Sequence, residues 1–236
     1  MPFSPQTLDF LVENRLHDSR DWFKEHKEDY KKLVIAPFIE LVEALTPTML
    51  AIDPLFITEP RVDRTISRVN RDTRFSKDKS LYRENMWCIF IRDKKLYHGL
   101  PAFYVDISPE GFSYGCGYYQ ADTETVSAMR QLVLEKDKRF KAADKALRGQ
   151  ELFHLEGDVY KRPHYPDHTP AERNWLERRS LSVNAYSKDF PLLFSKDFAG
   201  TLKEQLPLLA PIYSFFLACE ERRNQNNLTL AGERGI

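Results

Sequence analysis

The sequence has few cysteines, and they form no recognisable metal or disulfide site. The three cysteines, Cys88, Cys116 and Cys219, are far apart and form no C-x-x-C pair. This spacing excludes a zinc knuckle and a disulfide framework. We therefore expect reduced thiols, no bound metal and a cytoplasmic location.

Long apolar runs and familiar catalytic motifs are also missing. No apolar run approaches the ~20 residues needed to cross a bilayer, and the start, MPFSPQTLDF, has neither a basic nor an apolar leader region. The motifs G-x-S-x-G, G-x-x-x-x-G-K-[ST] and H-E-x-x-H are absent. The sequence therefore predicts no membrane partner and no cofactor, and it specifies neither a reaction nor an oligomeric state.

The chain also lacks an excess of charge and a linker. Its 35 Lys and Arg residues balance 35 Asp and Glu residues, which argues against broad attraction to nucleic acid or to an anionic membrane. No stretch is rich enough in Gly, Ser or Pro to separate two domains. We expect a single domain over residues 1–222, followed by a polar, frayed tail over 223–236.

Hydrophobic periodicity predicts helices at both ends of the chain and strands between them. Helices are predicted over 4–16, 18–34, 38–47, 122–147, 171–178 and from 202 up to the polar tail, and strands over 64–69, 86–92, 102–108, 112–119, 152–155 and 180–186. The turn at Pro109 and Gly111 joins two alternating runs into a hairpin. The predicted fold class is α+β, with helices at both chain ends packed on a central, mainly antiparallel sheet.

Positive charge is concentrated in one segment, RVNRDTRFSKDKSLYR, at residues 68–83. Between Arg61 and Arg83 there are eight Lys or Arg residues against three Asp residues. Guanidinium groups match carboxylate or phosphate oxygens, and lysine and hydroxyl groups add further donors. The segment predicts a site for a phosphorylated or carboxylated small molecule. Its candidate ligand residues are Arg68, Arg71, Arg74, Ser76, Lys77, Lys79 and Tyr82.

Two other interpretations of this segment remain open. Asp72 and Asp78 alternate with the cations, so the segment is also consistent with an internal ion-pair network in a structural or protein-interaction domain. A solvent-facing strip of the same cations would instead bind nucleic acid. In the anion-site interpretation, the two aspartates hold the cations in place.

The run Arg71–Lys79 followed by Tyr82 resembles the signature of DUF2461, a bacterial and fungal family of unknown function. The segments ENRLHDSRDWFKEHKEDY, FYVDISPEGFSYGCGYY, KRPHYPDHTPAERNWL and LPLLAPIYSFFLACEE extend the resemblance from Phe3 to about Glu221. The resemblance implies no particular activity. The chain departs from the family pattern at Leu81, where a proline is common, and at Asp106, where a histidine is common. We therefore include Asp106 as a supporting residue of the predicted site.

Overall fold

The computed structural model describes residues 2–74, 76–93, 95 and 99–233. Its N-terminal part is helical, with α1 at Pro5–His17, α2 at Arg20–Glu25, α3 at Lys27–Tyr30, a π-helical turn at Lys31–Ile35 and α4 at Ala36–Ile52. The predicted caps form as expected: Ser4 precedes Pro5 at the start of α1, and the Ser19 hydroxyl accepts the Trp22 N–H at the start of α2.

The rest of the chain alternates between strands and helices. The elements are β1 (Met86–Phe90), β2 (Ala102–Ser108), β3 (Gly111–Gly117), α5 (Thr123–Leu134), α6 (Lys138–Arg148), β4 (His154–Glu156), α7 (Pro170–Leu176), β5 (Ser182–Ser187), α8 (Phe190–Leu193), α9 (Phe198–Gln205), a 3-10 turn (Leu206–Leu209) and α10 (Ala210–Glu233). The strands form one antiparallel sheet in the order β1-β2-β3-β5-β4, and Leu155 of β4 pairs with Val183 of β5. The predicted α+β class is confirmed.

Contacts along the chain divide it into two compact units. Unit 1 contains residues 1–90, 104–114 and 186–205, and unit 2 contains residues 91–103, 115–185 and 206–236. Strands β2, β3 and β5 each contribute residues to both units. The single domain over 1–222 stays a prediction.

Unit 1 has a core of apolar side chains from the N-terminal helices and the first strands. Its fully buried members include Leu11, Val34, Phe38, Val42, Leu45, Met49, Met86, Cys88, Val105 and Ile107. The continuous helical stretch Lys27–Ile52 is long and apolar enough to span a membrane by length and composition. The same stretch supplies several of these buried side chains, as the core helix of a globular unit does.

A proline and a change of helix type coincide in this stretch. The π-helical turn ends at Ile35, directly before Ala36 and Pro37. Because proline has no N–H, it is tolerated best where the regular ladder is already interrupted. The predicted break at Pro37 is therefore a change from π to α geometry, and α4 continues past Pro47 to Ile52.

Unit 2 is built around Trp175, which is fully buried on α7. Its ring meets Phe215 edge to face at 5.5 Å and Phe140 at 6.0 Å. The Trp175 indole N–H also donates to Asp144 Oδ1 at 3.2 Å. These contacts join α6, α7 and α10.

The predicted strand over 64–69 is not continuous. Ser67 N–H donates to the Trp87 carbonyl, so the first part pairs with β1, but Arg83 N–H donates to the Val69 carbonyl. Asp63 just before it has a φ of 69° and folds the chain back, with its N–H on the Ile66 carbonyl. Because the pairing partner changes within a few residues, only isolated bridges form.

The predicted helix over 122–147 is two helices. Lys136 adopts a left-handed φ of 54°, and Asp137 caps α6 by accepting the Arg139 N–H at 2.7 Å. An aspartate that bonds the backbone ahead of it starts a new helix more readily than it continues an old one.

The polar segment after Arg223 is helical where a frayed tail is predicted. It continues α10 to Glu233, and residues 234–236 lie outside the described residues. Asn226 donates to Gln131 Oε1 at 3.0 Å, and Asn227 donates to Glu124 Oε2 at 3.0 Å. These amide contacts hold the last turns of α10 against α5.

Candidate anion-binding site

The charged segment 68–83, called the basic segment below, is a short ladder closed by a loop. The Arg71 N–H donates to the Leu81 carbonyl at 2.8 Å, and the Arg83 N–H donates to the Val69 carbonyl at 2.9 Å. Asn70 and Tyr82 pair between them. Residues 72–80 therefore form an irregular loop, where binding residues are often found. Phe75 lies outside the described residues.

This loop is attached to the corner between α1 and α2. The Leu81 N–H donates to Asp18 Oδ1 at 2.6 Å. The Tyr82 ring stacks on Phe23 at 5.1 Å and is only 2% exposed. Two of the sequence stretches that carry the family resemblance, 13–30 and 71–82, therefore lie side by side in unit 1.

Both aspartates of the loop form ion pairs. Asp78 Oδ2 lies 3.2 Å from Arg15 Nη2 and 3.3 Å from Arg71 Nη2. Hydrogen bonds from the Ser80 hydroxyl and N–H, together with the two arginines, hold the pKa of Asp78 below its usual value. Asp72 binds Arg74 at 2.7 Å, and its pKa falls to about 2 because Arg74 donates to it.

These ion pairs lie at the surface, and they do not neutralise all the positive charge of the basic segment. The Arg74 side chain is 77% exposed and the Asp78 side chain 45%. Lys79 donates to the Thr73 carbonyl at 2.8 Å, and Lys77 is exposed with no ion pair to any residue that the structure describes. Arg71 Nε is buried without a hydrogen-bond partner. Ser76 is half-buried.

A cavity of about 480 Å³ opens beside the start of the basic segment, and we call it the basic cavity. Its lining residues are Phe23, Lys27, Tyr30, Lys31, Ile35, Val62, Asp63, Arg68, Val69 and Asn70. Three of these carry a positive charge and one carries a negative charge. Phe23, Ile35, Val62 and Val69 give the cavity an apolar wall.

The helical stretch of unit 1 positions two of the three cations. Lys27 begins α3 and Lys31 begins the π-helical turn, four residues later, so both lie on one face. Single π-helical turns occur frequently at functional sites. Lys31 Nζ is 2.7 Å from Glu28 Oε1, a pair whose side chains are 55% and 83% exposed.

The opposite side of the basic cavity comes from residues 62–70. Arg68 is paired with Asp63, and both side chains are at least half exposed. The Tyr30 hydroxyl group is hydrogen-bonded to the Val69 backbone, and burial raises its pKa above the usual value. Its hydroxyl group is therefore neutral and able to donate to a bound anion.

Asp106 lies on the sheet, next to a different cavity. It accepts a hydrogen bond from Asn85 Nδ2 at 2.7 Å, and burial raises its pKa although Asn85 and the charge of Arg83 oppose the shift. Arg83 also donates to the Asn70 carbonyl and lies 4.6 Å from the Trp87 ring centre. The cavity at Asp106, of about 520 Å³, is lined by Ser108, Ser113, Tyr186 and Lys188, among others.

The predicted site residues are therefore distributed over several places in unit 1. Arg68 lines the basic cavity, Arg71 and Asp78 meet at α1, and Arg74 and Asp72 pair with each other in the loop. Lys27 and Lys31 are missing from the sequence-based set. Their spacing of four residues on the predicted helix over 18–34 is the one sequence signal that could have identified them.

Comparison with known proteins identifies a family for this chain. The model of a family described as "Conserved hypothetical protein (DUF2461)" matches residues 6–215. No curated protein matches the chain. The matched region includes the α1–α2 corner, the whole basic segment, Asp106 and the first residues of α10. The chain belongs to the DUF2461 family.

Proposed function

We propose that this protein binds a phosphorylated or carboxylated small molecule in the basic cavity. The observation that carries the proposal is the grouping of Lys27, Lys31 and Arg68 around one concave space, with Asp63 as the carboxylate among its lining residues. A volume of about 480 Å³ falls in the range of small-molecule pockets.

The existing ion pairs leave these cations available to a ligand. Lys27 has no ion pair or side-chain hydrogen bond to any residue that the structure describes. Lys31 and Arg68 are paired with exposed carboxylates, Glu28 and Asp63. Exposed pairs of this kind contribute little to stability, so a multiply charged anion can replace them.

The remaining lining residues fit the rest of such a molecule. Phe23, Ile35 and Val62 form an apolar surface for a carbon skeleton. The Tyr30 hydroxyl group and the Asn70 amide supply neutral donors. The surplus cations of the basic segment follow directly after Asn70 in the chain and raise the local positive potential, which favours the arrival of anions.

The proposal is tested with a matched pair of lysine variants. Calorimetric titration of the protein with glycerol 3-phosphate and glutarate, with glycerol as the uncharged control, measures binding. Lys31→Met should weaken anion binding about tenfold, since it removes one charge-assisted contact. The neighbouring Lys32→Met removes the same charge from a side chain that does not line the cavity, and it should leave binding nearly unchanged.

Equal losses in the two variants would mean that anions respond only to the overall field. No heat of binding and no rise in melting temperature with either anion would overturn the proposal.

A structural role for the loop 72–80 is the second candidate, and the two pairs of Asp78 favour it. One carboxylate there joins Arg15 of α1 to Arg71 of the basic segment. The two roles are compatible, because a loop fixed by Asp78 also fixes the ladder that contains Asn70 and directly follows Arg68.

A cytoplasmic location is part of the same proposal. The three cysteines are buried and unpaired, which supports a reducing compartment.

A further inference from the structure

Unit 2 contains a second cavity, of about 680 Å³, between α6, α7 and the proline-rich loop that precedes α7. We call it the α6–α7 cavity. It is lined by Asp144, Leu147, Arg148, Val159, Tyr160, Pro163, Pro170, Ala171, Arg173, Asn174 and Glu177. None of these residues belongs to the basic cavity or to the basic segment.

Arg173 is an arginine without a partner in this cavity. Its Nε atom is buried and makes no hydrogen bond, and its guanidinium group forms no ion pair or hydrogen bond with any residue between 2 and 233 that the structure describes. A buried donor left unpaired costs about 1–3 kcal/mol. Such a group in a cavity wall indicates a missing acceptor.

Three neighbouring arginines of unit 2, by contrast, have hydrogen-bond or ion-pair partners. Arg148 binds Asp144 at 2.8 Å. Arg130 donates to the Leu176 and Arg178 carbonyls at 3.0 and 2.7 Å. Arg178 donates to the Gly157 carbonyl at 2.9 Å. The donors of these three arginines are used within unit 2, whereas those of Arg173 are not.

The two carboxylates of the cavity are already engaged. Asp144 accepts from Trp175 and from Arg148. Glu177 accepts the backbone N–H groups of His164 at 3.0 Å and Tyr165 at 2.9 Å. Burial acts to raise the pKa of Glu177, but these N–H groups and the charge of Arg173 bring it below its usual value. Glu177 thus balances the charge of Arg173 without occupying its N–H groups.

The loop before α7 supplies an aromatic and largely apolar part of the cavity wall. Tyr160 and His164 stack at 3.9 Å with their rings 4° from parallel, and Arg130 lies 5.0 Å from the Tyr160 ring centre. The hydrogen bonds that Glu177 accepts from the His164 and Tyr165 N–H groups hold the same loop in place. Together with Leu147 of α6, the apolar residues Val159, Pro163, Pro170 and Ala171 give the cavity a preformed surface for a carbon skeleton, which lowers the entropy lost on binding.

We propose that the α6–α7 cavity binds an organic monocarboxylate with an apolar body, its carboxylate held by the unpaired guanidinium of Arg173. The planar fork of arginine matches the two oxygens of a carboxylate. A single negative charge fits better than a phosphate dianion, because Asp144 and Glu177 already balance the charges of Arg148 and Arg173, the two arginines of the lining. This site is separate from the proposed function and does not depend on it.

The test uses hexanoate as the probe and hexanamide as its uncharged counterpart. In ¹⁵N-labelled protein, hexanoate should shift the Nε–Hε resonance of Arg173, and hexanamide should not. In calorimetric titrations, Arg173→Met should weaken hexanoate binding about tenfold, the usual effect of losing one charge-assisted hydrogen-bonded contact. Arg222→Met removes a guanidinium of unit 2 that is paired with Glu135 at 2.7 Å and does not line the cavity, and it should weaken binding at most about twofold.

The proposal is overturned if hexanoate and hexanamide bind equally well, or if Arg173→Met and Arg222→Met lose the same affinity. If Arg173 only stabilised the fold, Arg173→Met would lower the melting temperature. Because its guanidinium group is unpaired, we expect Arg173→Met to leave the melting temperature unchanged or to raise it. The resonance shift in the unaltered protein decides the matter even if a variant fails to fold. Lys31→Met should leave the hexanoate-induced shift of the Arg173 Nε–Hε resonance unchanged, which separates this site from the basic cavity.

Discussion

Asp72 and Asp78 stand six residues apart in the same loop, but their surroundings differ. Asp72 binds Arg74, two residues along the chain, at an exposed position. Asp78 forms ion pairs with Arg15 of α1 and with Arg71, and it also accepts a hydrogen bond from the Ser80 hydroxyl group. An ion pair within one turn of chain restrains little, whereas a carboxylate that joins two elements restrains the fold.

We therefore expect Asp78→Asn to lower the melting temperature more than Asp72→Asn. The amide keeps the Ser80 contacts but leaves Arg15 and Arg71 next to each other without a counter-charge. Because the folded pKa of Asp78 lies below the ordinary 3.8, its contribution is fully present above that value. It is lost as the pH falls through the folded pKa. The difference between Asp78→Asn and the unaltered protein should thus be constant from pH 8 to 5 and shrink in more acid solution.

Thermal unfolding of the three proteins across this pH range measures the effect. An equal change for the two variants, or a difference that persists unchanged in strong acid, would contradict the role of Asp78 as the link between α1 and the loop.

Among the elements, those with strong periodicity could be predicted from the sequence. The β2–β3 hairpin and the α1 and α2 caps formed as predicted, because turn and cap residues act locally. Partner choice is not local. The pairing of residues 65–67 with β1 and of 69–71 with 81–83 depends on tertiary contacts, and the same β-rich pattern is consistent with one continuous strand.

The residues of the candidate sites are even harder to predict from local sequence patterns, because tertiary contacts bring them together. The basic segment is visible as a local excess of charge, so Arg68 could be predicted. Lys27 and Lys31 join it only through folding. Arg173 lies in an ordinary helical sequence directly after a capping box formed by Thr169 and Glu172. That it lacks a partner is a property of its surroundings, and no sequence pattern reports it.

Two glycines in unit 1 distinguish a required glycine from a tolerated one. Gly111, after the β2–β3 turn, has a φ of 137°, and a Cβ there would overlap the Ser187 carbonyl oxygen of the neighbouring strand. Gly200, on α9, has open space around its Cβ position. Gly111→Ala should therefore reduce the free energy of unfolding by about 2 kcal/mol or more. Gly200→Ala should increase it by about 0.5 kcal/mol through helix propensity.

Denaturant titrations of both variants provide the measurement. If Gly111→Ala were neutral, the close approach of β3 and β5 at this position would be incorrect, and with it the register that places Asp106 and Lys188 in the lining of one cavity.

At the scale of the whole molecule, the zero net charge conceals an uneven distribution. Broad attraction to polyanions is not expected from a balanced chain, yet Lys27, Lys31 and Arg68 are concentrated around one cavity. The anion binding proposed for the basic cavity therefore depends on local geometry. Its dependence on salt should accordingly be that of a few contacts, and not the steep dependence of a nucleic-acid-binding surface.

The cysteines report on how the two units unfold. Cys88 lies in unit 1, and Cys116 and Cys219 lie in unit 2. All three are buried; burial raises the pKa of Cys88 to about 12 and those of the other two well above their usual value. Since the thiolate is the reactive form, we expect no thiol of the folded protein to react with a thiol reagent on the time scale of the assay.

Labelling during a denaturant titration then tests whether the chain unfolds as one domain. Strands β2, β3 and β5 each run from one unit into the other, so loss of either unit breaks strands that continue in its neighbour. We therefore expect all three thiols to become reactive over the same range of denaturant, with each site quantified by mass spectrometry of the labelled peptides. Labelling of Cys88 at a clearly lower denaturant concentration than Cys116 and Cys219 would show that unit 1 opens separately, and it would refute the single domain predicted for residues 1–222.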